Sequence, residues 1–208
     1  MPTELRSILH LDASHRRQGS VSRGLSQLLV DELLARHPAA RIVRRDLASG
    51  MPLVDDAWIE ASFTPADQRS NAQRRALAHS DTLVEELRTC DVWVIGTPIY
   101  NFGIPPLLKA WIDQICRARV TFAYTEQGPR GLLEDRPVFV TIASGGSQVG
   151  SEREFLTPYL RHVLGFIGIR DLRIIAADQL LVTGEAKIEL ARQQIRDAAA
   201  GVRLDRSG

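Results

Sequence analysis

The 208-residue chain contains little cysteine and little lysine. Its two cysteines, Cys90 and Cys116, lie far apart and form no C-x-x-C pair, so neither a disulfide framework nor a metal site is expected. Lys109 and Lys187 are the only lysines, the arginines are scattered, and the net charge is +1 at pH 7. The whole-chain charge therefore gives no support for a nucleic-acid partner or for binding to an acidic membrane surface.

The sequence also lacks a long apolar run. No segment approaches the roughly 18–20 residues of a membrane span, and the first residues carry no secretory pattern. Hydrophobic residues make up 44% and charged residues 25%, which is an ordinary globular composition. These features predict one cytoplasmic domain, residues 1–208, without a membrane partner.

Short apolar segments alternate with longer segments of helical periodicity along the chain. Strands are predicted over residues 7–12, 41–44, 91–96, 137–143 and 172–176, and helices over residues 22–36, 67–88, 105–118, 152–167 and 185–202. Residues 48–66 are predicted to be irregular, and residues 120–124 to form an excursion or an edge hairpin. The alternation predicts an α/β fold whose doubly wound parallel sheet carries helices on both faces.

The loop after the third predicted strand, residues 96–106, has the most unusual composition. It combines a glycine at its start, three prolines, two aromatic residues and an asparagine. Open α/β folds place ligands in loops at the carboxyl ends of their strands. A rigid loop with aromatic faces suits a flat ring with polar edges, although a purely structural turn into the next helix is the alternative.

The loop after the first strand lacks both the phosphate-loop lysine pattern and the dinucleotide G-x-G-x-x-G pattern. It does place the hydroxyls of Ser14, Ser20 and Ser22 just before a helix. Hydroxyls and the free N–H groups of a helix amino terminus suit a phosphate. The alternative is that one serine only caps the helix.

The loop after the fourth strand contains Ser-Gly-Gly-Ser at residues 144–147. Paired glycines let the backbone approach a ligand closely, although an ordinary turn would also use them. If the strands are ordered 2-1-3-4-5, these three loops meet at one edge of the sheet. Together they predict a phosphate pocket beside a pocket for a planar ring, as a mononucleotide with a large flat heterocycle requires.

Two central segments carry a family resemblance. Residues 98–102, Pro-Ile-Tyr-Asn-Phe, are similar to a P-M-Y-N-F segment, and residues 120–132 are similar to a V-T-F-x-Y-T-x-x-G-P-x-G-L run. Both segments are typical of the FMN-dependent NADH-azoreductase and quinone reductase family. The serine spacing and residues 164–168 also match, so the resemblance covers nearly the whole chain. It implies a flavodoxin-like fold with a five-stranded parallel sheet in the order 2-1-3-4-5, and a homodimer with the site at the subunit interface.

The resemblance also implies FMN as the bound cofactor and NADH or NADPH as the electron donor. It implies that the FMN phosphate is held by Ser14, Ser20, Val21 and Ser22. It implies further cofactor contacts from Pro98, Ile99, Tyr100, Asn101 and Phe102, and from Ala143, Ser144, Gly145 and Gly146. Aromatic walls of a substrate pocket are expected from Trp58, Phe63, Tyr124 and Phe166, with ordinary packing as the alternative for each.

The chain departs from the family pattern at two places. Ile99 stands where methionine is usual, which keeps an apolar contact. Residues 143–146 read Ala-Ser-Gly-Gly where the family often has S-R-G-G, so a guanidinium is missing. If that group contacts nicotinamide or substrate, specificity is expected to differ.

The predicted function is the transfer of two electrons from NAD(P)H to quinones and aromatic azo compounds by a ping-pong mechanism. No side chain is predicted to be catalytic, because N5 of the flavin accepts the hydride. His15 and Lys109 are expected to be solvated. The alternatives are a flavodoxin-like electron carrier, which the near-neutral charge disfavours, and a non-redox hydrolase, for which no G-x-S-x-G elbow is present.

Overall fold

The computed structural model describes residues 4–202 and residue 204. Its strands are β1 (Ser7–Asp12), β2 (Arg41–Asp46), β3 (Val92–Pro98), β4 (Phe122–Thr125), β5 (Gly128–Gly131), β6 (Val138–Ala143) and β7 (Leu172–Ala177). Its helices are α1 (Val21–Arg36), α2 (Asp56–Phe63), α3 (Asn71–Thr89), α4 (Pro106–Ile115), α5 (Leu156–Ile167), α6 (Leu180–Thr183) and α7 (Glu185–Ala200). Within these described residues, no helix is both long and apolar enough to cross a membrane.

Five strands form one parallel sheet in the order β2-β1-β3-β6-β7. This confirms the predicted order, because β6 and β7 are the fourth and fifth strands of the fold. β4 and β5 pair antiparallel in a separate two-stranded sheet, which is the hairpin excursion predicted from residues 120–124. The strand order puts β1 beside β3, so the loops that follow both strands meet at the same edge.

Side chains of the buried strands alternate between two hydrophobic cores. In β3, Val92 and Val94 pack in the core beneath α1 and α7. Trp93 and Ile95 pack in the core that α3, α4 and α5 cover. Because both faces of β3 are covered, all four side chains are apolar and fully buried, as is typical of a central parallel strand.

Two short helices were missing from the sequence-based prediction. The prediction of an irregular segment at residues 48–66 was wrong, because α2 forms inside it with Asp55 as its N-cap, accepting a hydrogen bond from the Trp58 N–H at 2.8 Å. An eight-residue helix between prolines has too little periodicity to stand out. α6 was missed for the same reason, and α3 begins later than predicted because Ser70 and Gln73 form a capping box.

The β4–β5 hairpin lies directly against the carboxyl end of α5. A Cβ added to Gly131 would lie 2.2 Å from the backbone nitrogen of Gly168 and 2.5 Å from its Cα. Gly168 itself has φ 118°, and the Leu133 N–H donates to the Ile167 carbonyl at 3.0 Å. This contact is made by two backbones, so it leaves no room for a side chain.

Both thiols should be nearly inert in the folded protein. Burial raises the pKa of Cys90 to about 11 and that of Cys116 to about 12, from an ordinary value of 9.0. At pH 8, a pKa of about 11 leaves roughly a hundredth of the thiolate that a pKa of 9.0 gives. We expect an aromatic disulfide reagent that reacts with thiolates to label the two cysteines at least about 100-fold more slowly in the native protein than in the guanidinium-unfolded protein. Equal labelling rates in the two states would contradict this expectation.

Candidate functional site

Two adjoining cavities open at the carboxyl edge of the parallel sheet, with volumes of about 250 and 500 Å³. They share Ile99, Ser144 and Gly145 as common walls. The smaller cavity is also lined by the loop after β1 and the start of α1, and the larger by the loops after β3 and β6. The three loops singled out in the sequence therefore surround one continuous groove.

The smaller cavity lies at the amino terminus of α1. Ser20 caps this helix, since its hydroxyl accepts from the Arg23 N–H at 3.5 Å, and it lies 3.3 Å from the Ser22 hydroxyl. The N–H groups of Val21 and Ser22 have no acceptor among residues 4–202 and 204. Hydroxyls and free N–H groups at the positive end of a helix form an anion site.

Arg23 holds the loop that carries Ser14. Its Nε and Nη2 atoms donate to the Ser14 carbonyl at 3.1 and 2.6 Å, and its guanidinium also pairs with Asp46 and approaches Asp12 to 3.6 Å. Burial would raise the pKa of Asp46, but hydrogen bonds from Arg23 and the Ala48 N–H outweigh burial and hold this pKa below its ordinary value. The loop is therefore fixed by a guanidinium with two carboxylate partners.

A buried histidine, serine and aspartate lie beneath the same loop. His10 Nε2 is 3.0 Å from Ser26 Oγ, which donates to Asp12 Oδ1 at 2.8 Å, while Arg44 lies 3.2 Å from His10 Nδ1. The serine hydroxyl thus donates to the carboxylate, and both His10 and Ser26 have no exposed surface. A Cβ at Gly96 would lie 2.6 Å from the Ser26 hydroxyl, so α1 is seated directly on β3. This trio supports the packing of α1, and none of its members lines either cavity.

The loop after β3 makes a tight turn at the mouth of the groove. Tyr100 and Gly103 exchange two backbone hydrogen bonds at 3.1 and 3.0 Å, and the residues between them, Asn101 and Phe102, have φ of 45° and 72°. This is the mirror-image two-residue turn, and a positive φ costs a residue other than glycine about 1–2 kcal/mol. The Phe155 N–H donates to the Phe102 carbonyl at 2.8 Å and helps to hold the turn. Strain retained in this way is typical of a ligand site.

The loop after β6 presents free backbone donors. The N–H groups of Leu180 and Leu181, at the start of α6, donate to the carbonyls of Ser144 and Gly145 at 3.0 and 2.9 Å. The N–H groups of Gly145 and Gly146 have no acceptor within the described part of the chain, and both glycines line the larger cavity. The short helix α6 therefore fixes the loop, while the N–H groups of the two glycines stay available to a ligand.

The structure brings together all thirteen residues that the sequence predicts as cofactor contacts. Ten of them line the smaller cavity: Ser14, Ser20, Val21, Ser22, Pro98, Ile99, Tyr100, Ala143, Ser144 and Gly145. The other three, Asn101, Phe102 and Gly146, line the larger cavity. Their roles in holding a cofactor stay predictions.

The four aromatic residues predicted for a substrate pocket lie outside both cavities. Trp58 belongs to α2, and the Arg117 guanidinium carbon lies 5.8 Å from its ring centre. Phe63 and Tyr124 are 69% and 76% exposed. The ring of Phe166 lies 4.4 Å from that of Phe122, the first residue of β4, and is tilted by 48° to it. Within a single chain none of the four reaches the groove, so their part in a substrate pocket stays a prediction.

The groove also contains residues that the sequence did not single out. Leu180 lines the smaller cavity beside Arg16, and Gln179 and Arg153 line the larger. Gln179 has φ 56° and precedes α6, which was not predicted. Arg153 lies in the turn before α5, and no local pattern marks it among the many arginines.

Comparisons with known proteins agree with this architecture. A family model described as flavodoxin-like fold matches residues 6–200. The FMN-dependent NADH:quinone oxidoreductase 1 of Hahella chejuensis is 50% identical over 198 residues, covering 95% of this chain and 97% of its own. The protein of the same name from Jannaschia sp. is 53% identical over 193 residues, covering 93% and 98%.

Solved structures share the fold. The crystal structure of azoreductase from Bacillus anthracis superposes with a TM-score of 0.86 at 24% identity, covering 95% of this chain and all of that chain. An FMN-dependent NADH-azoreductase from the same species, solved in complex with FMN, gives a TM-score of 0.84 at 24% identity, covering 94% and 98%.

Proposed function

The chain belongs to the flavodoxin-like family of FMN-dependent NADH:quinone oxidoreductases, and we propose that it passes two electrons from NADH to quinones and aromatic azo compounds by a ping-pong mechanism. The observation that carries this proposal is the continuous groove of two cavities at the carboxyl edge of the sheet. One end of the groove suits a phosphate and the other a flat ring.

The residues of the groove fit FMN. At the phosphate end, the hydroxyls of Ser14, Ser20 and Ser22 and the N–H groups at the start of α1 would hold the phosphate, beside the cationic Arg16. At the ring end, Ile99 gives an apolar wall, while the N–H groups of Gly145 and Gly146 would donate to the polar edge of the ring.

When bound, FMN would supply the redox chemistry, since its ring takes electrons from NADH and gives them to an acceptor. The free N–H groups of the β6 loop would stabilise negative charge on the polar ring edge. No histidine, aspartate or glutamate lines either cavity among the described residues. The protein therefore binds and orients, and water supplies the protons that the reduced acceptor takes up.

We propose further that the active form is a cytoplasmic homodimer of single-domain chains. The exposed rings of Phe63 and Tyr124 support a partner surface, because a second copy would cover them and could bring aromatic walls to the open groove. The free thiols of Cys90 and Cys116 accord with a reducing compartment.

An absorption spectrum tests the proposal most directly. We expect the purified protein to bind FMN and, when mixed anaerobically with NADH, to bleach without a reductase partner, and then to recover its colour on addition of benzoquinone or an azo dye. A protein that takes up no FMN, or that bleaches only with an added reductase, would contradict the enzyme assignment. Initial rates at several NADH and quinone concentrations should give parallel double-reciprocal lines, and intersecting lines would reject only the ping-pong order.

A further inference from the structure

Within the described part of the chain, one charged side chain, Arg153, lines the larger cavity. The rest of its lining is uncharged: Ile99, Asn101, Phe102, Ser144, Gly145, Gly146, Ser147, Gln148, Ser151 and Gln179. A cavity whose lining holds one cation and no carboxylate offers a direct partner to an anionic group.

Among the described residues, Arg153 has no partner that neutralises it. Its guanidinium makes no hydrogen bond and no ion pair with residues 4–202 and 204. The adjacent Glu154 is buried and its oxygens are already used, because they accept from the Gly150 N–H at 3.2 Å and the Thr157 N–H at 2.7 Å. Glu154 is therefore committed to the turn and to the start of α5, and the other flanking carboxylate, Glu152, is exposed and forms no ion pair with Arg153 among the described residues.

A second carboxylate close to the same loop is also occupied. Asp178 is 4% exposed, accepts from the Val149 N–H at 2.8 Å and pairs with Lys187 at 2.9 Å. Both acidic groups that anchor the loop between β6 and α5 are thus satisfied by the loop and by α7. The charge of Arg153 is left for a molecule in the cavity.

The loop also fixes where Arg153 sits relative to the turn after β3. The Glu154 N–H donates to the Ser151 carbonyl at 3.0 Å, and the next residue, Phe155, donates its N–H to the Phe102 carbonyl at 2.8 Å. Arg153 is therefore two residues from a direct backbone bond to the turn that carries the predicted ring contacts. A flat molecule over that turn would have this guanidinium at its side.

We propose that Arg153 makes the protein prefer flat ring acceptors that carry an anionic group, a sulfonate or a carboxylate, over uncharged acceptors of the same shape. This inference rests on the proposed quinone and azo reduction and specifies its substrate class. Arg153 is a specificity-determining residue here: it binds the anionic substituent and takes no part in electron transfer. A partly exposed ion pair of this kind changes affinity by about three- to fivefold.

The test uses FMN-loaded protein and two ligands of nearly equal shape, naphthalene-2-sulfonate and the uncharged naphthalene-2-sulfonamide, with dissociation constants from calorimetry at low ionic strength. We expect the wild type to favour the sulfonate, Arg153→Gln to reduce that preference about three- to fivefold, and Arg153→Lys to retain most of it. Arg74→Gln, which removes the same charge from an exposed site on α3, should leave the preference unchanged. The preference should also weaken in 0.5 M salt, since the pair is partly exposed.

A kinetic arm compares 1,4-naphthoquinone-2-sulfonate with 1,4-naphthoquinone. Arg153→Gln should raise the ratio of their KM values about three- to fivefold while the ratio of their kcat values stays constant. If Arg153→Gln kept the wild-type ratio of KM values, or if Arg74→Gln changed that ratio equally, the proposed role of Arg153 would be overturned. Neither result would contradict quinone reduction itself. A calorimetric preference that depends on Arg153, in a protein that reduces neither quinone, would support the anion site and refute the proposed function.

Discussion

Replacing Ser20 with aspartate is expected to raise the dissociation constant for FMN at least about 100-fold while changing that for riboflavin less than about threefold. Ser20 caps α1 at the proposed phosphate end of the groove. Two unit charges about 4 Å apart repel by about 4 kcal/mol at an effective dielectric constant of about 20, which exceeds the roughly 2.7 kcal/mol of a 100-fold change. Riboflavin lacks the phosphate and does not meet this repulsion.

Aspartate is a sharp probe here because it should not harm the helix. Aspartate is as good an N-cap as serine, and a negative charge is favourable at a helix amino terminus. Ser20→Asn is the matched control, since asparagine also caps well but is neutral, and we expect it to weaken FMN only a few-fold. Both ligands are titrated by quenching of flavin fluorescence, and circular dichroism checks that α1 is intact. If Ser20→Asp weakened the binding of FMN and of riboflavin equally, the placement of the FMN phosphate at this end of the groove would be wrong.

Replacing Gly131 with alanine is expected to lower the free energy of unfolding by about 3 kcal/mol or more. The new Cβ would lie 2.2 Å from the backbone nitrogen of Gly168, and neither the β4–β5 hairpin nor the end of α5 is a flexible side chain that can move aside. The hairpin must therefore separate from α5, which also breaks the Leu133 N–H bond to the Ile167 carbonyl. Chemical denaturation at a fixed protein concentration measures the loss.

Gly24→Ala is the control for this substitution. Gly24 lies on an exposed face of α1, where an added Cβ meets nothing within 4 Å. Alanine there should stabilise the protein by about 0.5–1 kcal/mol, because it reduces the entropy of the unfolded chain and suits a helix. If Gly131→Ala were as stable as Gly24→Ala, the close backbone contact between hairpin and helix would be wrong.

These substitutions distinguish a residue that is needed for packing from a residue that is needed for ligand binding. Gly131 is required by packing and Ser20 by the charge of a ligand, so stability should respond to the first and ligand affinity to the second. Within the described residues, no acidic or imidazole group lines either cavity. The groove is therefore suited to binding a ligand and not to acid–base catalysis by a side chain. The chain supplies position and electrostatics for chemistry that a bound flavin would perform.

The sequence by itself determined the parallel sheet and the three loops that follow its strands, and the family resemblance added the strand order that brings these loops to one edge. The buried strands are continuous apolar runs, the long helices are strongly periodic, and the loops contain proline, glycine and serine at strand ends. Each of these signals is local, and their combination leaves few topologies open. The residues expected at a cofactor were found around one groove for the same reason, since they follow neighbouring strands.

Only the tertiary structure decided which isolated residues join that groove. Arg153 is one of many arginines in the sequence, and it reaches the larger cavity because the loop between β6 and α5 is bonded to the turn after β3. Trp58, conversely, lies in α2 with Arg117 over its ring, and it does not line the groove. Local periodicity carries no information about where a loop side chain points or which charge it meets. Those outcomes depend on hydrogen bonds between residues far apart in the chain, and they decide the charge that a substrate meets at this site.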